Sequence, residues 1–115
     1  MFNSHITDPD SLEWTEHPTF AGLYFKAVET RDTHPTSRVS IVRVEVGGEI
    51  SAHVHEVETE TAYVISGKGT IFFGDEEFPF SAGMVTTVVP GTRHGVRNIG
   101  DVPMEVFALH TPPVQ

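Results

Sequence analysis

The chain has 115 residues, 38% of them hydrophobic and 20% charged, with a formal charge of −9 from 7 Lys plus Arg against 16 Asp plus Glu. That length holds one core. The apolar share excludes a disordered chain, and an acidic balance without a basic run argues against nucleic acid or an anionic membrane as partner. There is no cysteine, which rules out a disulfide scaffold, a thiolate zinc site, an iron–sulfur cluster and a cysteine nucleophile.

Met1 to Asp10 is polar and acidic, unlike a signal peptide. No run approaches the ~18 apolar residues of a membrane span. The expectation is a soluble, cytoplasmic protein. Residues 1–22 read as an arm with at most one short strand, since Pro9 and Pro18 interrupt any longer helix. Trp14 and Phe20 are its anchors, either onto the main domain at 23–115 or onto a partner subunit.

From Leu23 the texture is β. Leu23–Val28 is the first strand, followed by a polar loop over 29–37. Val39–Val46, rich in β-branched residues, ends at Gly47-Gly48. Ile50–His55, Thr61–Ser66, Thr70–Phe73, Phe78–Phe80, Met84–Val89, His94–Ile99 and Met104–His110 follow, punctuated by Gly, Pro and Asn-rich turns. Short strands at this spacing predict an all-β sandwich or barrel.

The histidines concentrate the chemistry. His53 and His55 are two apart in a strand-like segment, so both rings point to one face. Glu60 is five residues beyond His55, an odd spacing that places it on the same side only if the chain turns between Glu56 and Thr59. His94 opens a strand after the turn Pro90-Gly91-Thr92-Arg93. Three imidazoles and one carboxylate suit a divalent first-row metal and leave coordination positions open for substrate or dioxygen. An isolated His-x-His is usually two surface residues. The fuller pattern, His53-x-His55-x4-Glu60 together with Gly91-x2-His94-x3-Asn98, arises by accident roughly once in a few thousand such sequences.

These residues resemble the cupin family. Gly47, His53, His55, Glu60 and Gly67 match its first motif, and Gly83, Gly91, His94 and Asn98 its second. The departure is Val89, where the family has proline; Pro90 comes one place later. The motifs cover residues 47–98, and the strand pattern extends the match to about 38–112. The resemblance implies a double-stranded β-helix, a jelly-roll barrel, with His53, His55, Glu60 and His94 as ligands of one iron, manganese, copper, nickel or zinc ion. It also implies a metalloenzyme of dioxygenase, decarboxylase or isomerase type acting on a small organic molecule. The alternative is a non-catalytic, metal-dependent small-molecule binding or sensing module.

Alternation from His94 brings Val96 and Asn98 inward, and alternation from Glu60 brings Ala62 and Val64 inward with Tyr63 facing away. Phe72 or Phe73, Phe78, Phe80, Phe107, Met84 and Met104 are expected in the core. Arg43 is expected on a solvated face, the other option being an anion-holding residue inside the barrel. His5, His17 and His34 are expected at the surface, and so is His110, the other option for it being a general base or a residue supporting the ligands. Glu56 and Glu58 are expected in solvent, the other option being that either replaces Glu60 as ligand if the turn runs differently. No residue is singled out as a general acid or base. Exposed strand edges and the arm predict a homodimer.

Overall fold

The computed structural model describes residues 2–113. After a short 3-10 turn at Pro9–Ser11 come ten strands: β1 Thr15–Glu16, β2 Leu23–Glu29, β3 Arg38–Val44, β4 Glu49–Val54, β5 Thr59–Ser66, β6 Lys68–Phe73, β7 Glu76–Ser81, β8 Val85–Val88, β9 Arg93–Asn98 and β10 Met104–Thr111. They form a six-stranded sheet in the order β1-β2-β3-β10-β5-β8 and a four-stranded sheet in the order β4-β9-β6-β7. All pairings are antiparallel. This is the all-β architecture that the β-branched runs and turn spacing predict, in the jelly-roll form that the resemblance implies. Among the described residues no helix is long and apolar enough to cross a membrane.

The inner face of the large sheet changes character along its strands. At one end Leu23, Val44, Val64 and Met104 are buried and pack with Ile71, Phe80 and Val96 of the small sheet. In the middle, Ser40, Ala108 and Ala62 stand side by side across β3, β10 and β5. These small side chains leave the sheets unfilled. At the far end the next row reads Arg38, His110, Glu60 and Val88. One end is thus an apolar plug and the other a polar chamber, and the strand periodicity of two carries the change.

A bulge in β4 aims the small sheet at that chamber. Ile50 pairs with Val96 and His53 with His94, so Ser51 and Ala52 on β4 together oppose Gly95 on β9. The extra residue reverses the alternation, which lets both Ile50 and His53 face inward.

Several core expectations need correction. Phe107 lies on the outer face of the large sheet, Phe78 on an edge strand and Met84 in a turn, and all three are exposed. Met104 and Phe80 are buried as expected. Arg43 faces outward and pairs with Glu45 at 3.2 Å. The arm packs along its own chain: β1 pairs with β2, the Lys26 ammonium donates to the Pro9 carbonyl at 2.8 Å, and it sits over the Trp14 ring.

Candidate metal centre

His53 and His94 stand opposite each other on β4 and β9, with ring centroids 4.3 Å apart. His55 follows the end of β4. The ligand atoms of these three lie within 4.8 Å of one another. Glu60 reaches the same chamber from β5. Residues 55–58 bend out of strand geometry, which supplies the change of direction that the odd His55-to-Glu60 spacing requires. Glu60 Oε2 is 3.5 Å from His94 Nε2. Glu60 also forms a second compact group with His55 and His110. All four positions singled out from the sequence therefore meet in one chamber.

Local contacts set the tautomers. His53 Nδ1–H donates to the Ser51 carbonyl at 2.8 Å, and His94 Nδ1–H donates to the Thr92 carbonyl at 2.9 Å. A carbonyl only accepts, so in the neutral rings Nε2 carries the lone pair. His55 Nδ1 lies 3.4 Å from Glu58, a carboxylate contact of the kind that orients metal-binding imidazoles. His94 Nε2 is buried without a hydrogen-bond partner. Its 3.5 Å approach to Glu60 is an ion-pair distance without hydrogen-bond geometry. A buried acceptor nitrogen and a carboxylate facing one point fit a cation between them.

The electrostatics agree. Burial opposes charge on His53 and His55 and holds both below the ordinary histidine pKa, which favours the neutral, ligating form. Burial also opposes ionisation of Glu60, yet its contacts with His110 and His94 outweigh that and hold the carboxyl far below the usual range. For His94 burial is likewise outweighed, by Glu60 and by the Thr92 carbonyl, and its pKa is raised.

Two residues join the site against expectation. His110 is buried, and its Nε2–H donates to Glu60 Oε1 at 2.8 Å. The signal is present in β10, where Met104, Val106, Ala108 and His110 share the inward parity. Glu58 is 2% exposed. Its carboxylate accepts from Arg38 Nη2 at 3.2 and 3.3 Å and approaches His55. The bend at 55–58 breaks the alternation that predicts solvent for it. His17 also leaves the surface: it is half-buried, stacked on Phe20 at 4.8 Å.

Beside the histidines lies a cavity of about 390 Å³, walled by β2, β3, His17, Pro18 and His110. A larger depression, about 510 Å³, sits between the arm and the 29–35 loop, remote from the cluster.

Comparison with known proteins places this architecture. A family model described as a cupin domain matches residues 40–110. An uncharacterized protein of Methanocaldococcus jannaschii is 31% identical over 70 residues, 61% of this chain and 56% of that protein. The chain therefore spans little more than half of that relative. A structure of a predicted oxalate decarboxylase from Thermotoga maritima superposes with a TM-score of 0.86 at 19% identity, covering 94% of this chain and 99% of that one. A conserved Klebsiella pneumoniae protein with a double-stranded β-helix domain gives a TM-score of 0.80 at 25% identity, covering 97% and 93%.

Proposed function

The chain belongs to the cupin family, and on that premise we propose that it is a metal-dependent enzyme acting on a small, oxygen-bearing organic substrate. His53, His55, Glu60 and His94 would hold one divalent ion of iron, manganese, copper, nickel or zinc. The observation that carries this reading is the buried, partnerless Nε2 of His94 facing the Glu60 carboxylate. When bound, such an ion supplies Lewis-acid polarisation or oxygen activation, the common ground of decarboxylase, isomerase and dioxygenase chemistry. The protein's own residues prepare the site. The Ser51 and Thr92 carbonyls fix the rings of His53 and His94, Glu58 orients His55, and His110 holds Glu60 by one oxygen.

Elemental analysis of protein purified without chelator or affinity tag tests this. Near-stoichiometric metal is expected in the wild type, with at least about a tenfold loss in a His55→Ala, His94→Ala double variant. Equal metal in both, or none in either after reconstitution, overturns the site. Bound metal without turnover on any small acid or oxygenated substrate would instead favour a binding module.

We also propose a homodimer through the outer face of the large sheet. Ile41, Phe107, Tyr63 and Val85 form one cross-strand row there. The arm side of the row is covered, since Ile41 is buried, but Phe107, Tyr63 and Val85 are exposed. A second copy related by a two-fold axis would cover this apolar row with its own. Light scattering is expected to give twice the chain mass for the wild type and the single mass for Tyr63→Glu, Phe107→Glu. A wild-type monomer at micromolar concentration overturns it.

A further inference from the structure

We infer that the cavity beside the histidine cluster is a subsite for a small monocarboxylic acid with an apolar body. The inference names the substrate class for the metal-enzyme reading and rests on that reading for the reaction, while the binding itself stands on different residues. The cavity, about 390 Å³, is large enough for a single-ring molecule. One wall is apolar, formed by Leu23, Phe25 and Val42 on the inner face of β2 and β3 and by Pro18 of the arm.

The polar wall is one-sided in charge. It contains Arg38, His17, His110 and Ser40, and among the described residues no carboxylate lines the cavity. The nearest carboxylates, Glu58 and Glu60, are engaged by Arg38 and His110 from behind this wall, so the lining itself presents one guanidinium and ring or hydroxyl donors, which suit an anion. Arg38 engages Glu58 through Nη2, while its Nε is buried without a hydrogen-bond partner. A guanidinium presents a planar fork that matches a carboxylate. His17 adds a neutral donor. Its Nδ1 accepts from the backbone N–H groups of Thr19 and Phe20 at 3.1 and 3.3 Å. An amide N–H only donates, so the neutral ring carries its proton on Nε2.

The cavity also adjoins the centre. Arg38 pairs directly with His110 across β3 and β10, and His110 bonds to Glu60. An acid held at Arg38 therefore lies two strands from the candidate ligand Glu60, with its apolar body against Leu23, Phe25 and Val42. A single cation and a largely apolar wall suit a monoacid better than a compact diacid.

Calorimetry on the full chain as purified tests this, with benzoate and phenylacetate against benzamide and phenylacetamide. The acids are expected to bind at least about tenfold more tightly than the amides. The ratio is expected to collapse in Arg38→Gln and to fall in His17→Phe, while Ala27→Phe, which fills the cavity mouth, weakens acid and amide alike. Equal affinity for acid and amide, binding of neither, or a ratio unchanged in both Arg38→Gln and His17→Phe overturns the inference. In the last case the metal itself would be holding the acid. If Arg38→Gln fails to fold because the guanidinium contact to Glu58 is lost, the wild-type ratio and His17→Phe decide. Metal content measured beside each titration separates the two readings. Acid preference without metal removes the metalloenzyme and keeps the subsite; metal without acid preference does the reverse.

Discussion

Gly95→Ala is expected to lower the melting temperature by about 10 °C or more and to reduce bound metal in the same protein. A Cβ at this position would stand 2.4 Å from Phe72 Cζ and 2.5 Å from the Ile50 carbonyl oxygen. The ring contact is negotiable, because an aromatic side chain at a half-buried site can swing away. The carbonyl is backbone. It belongs to β4 immediately before the bulge that separates Ile50 from His53. Relief requires β4 to lift from β9 at that point, which moves His53 away from its position opposite His94. Stability and metal retention are therefore coupled through one glycine that carries no chemistry. Thermal melts with metal analysis check this, and Phe72→Ala in the Gly95→Ala background identifies the cause. The double variant is expected to stay destabilised. Recovery on trimming Phe72 would show that the ring, rather than the β4 backbone, sets the limit.

The same bulge shows how far the sequence can be read. The spacing of His53, His55, Glu60 and His94 is legible because a motif fixes positions along the chain whatever the local geometry. Inward parity along β5, β9 and β10 is legible too. Ala62, Val64, Val96 and Asn98 are buried and Tyr63 exposed, as alternation demands. Two kinds of feature are hidden. Where the backbone departs from strand geometry, at the β4 bulge and the 55–58 bend, alternation gives no guide, and Glu58 turns inward for that reason. Where side chains lie on the outer face of a two-sheet barrel or at its edge, hydrophobicity misleads: Phe107 and Phe78 are as apolar as Phe80 yet exposed. His110 belongs to neither group. Its parity marks it as inward, and that outweighs its position at a strand end.

Asn98→Asp is expected to destabilise the fold more than Asn98→Ala, although it is the smaller change in shape. Asn98 is 3% exposed at the apolar end of the barrel. Its Nδ2 donates to the Val44 carbonyl at 3.0 Å and to the Val102 carbonyl at 2.9 Å, while Oδ1 accepts from Gly100 N–H at 2.9 Å. One amide thereby ties the end of β3 and the turn before β10 to β9. Alanine removes three hydrogen bonds, a loss of about 3 kcal/mol. Aspartate keeps the Gly100 contact but turns a carboxylate oxygen toward two carbonyl oxygens in a buried site, which costs on the order of 4–5 kcal/mol. Against a total of about 5–15 kcal/mol for a domain, either is a large fraction. The two variants also differ in pH dependence. Burial raises the folded pKa of the introduced carboxyl above its unfolded value of about 3.9. Between those values the folded state binds more protons, so stability falls as pH rises. Protonation restores one donor, and the gap between the aspartate and alanine variants is expected to narrow as pH drops from about 7 toward about 5. Urea midpoints for both variants across that range check it. A gap independent of pH would mean that the introduced carboxylate reaches solvent, and that the three-way tie is looser than its hydrogen bonds imply.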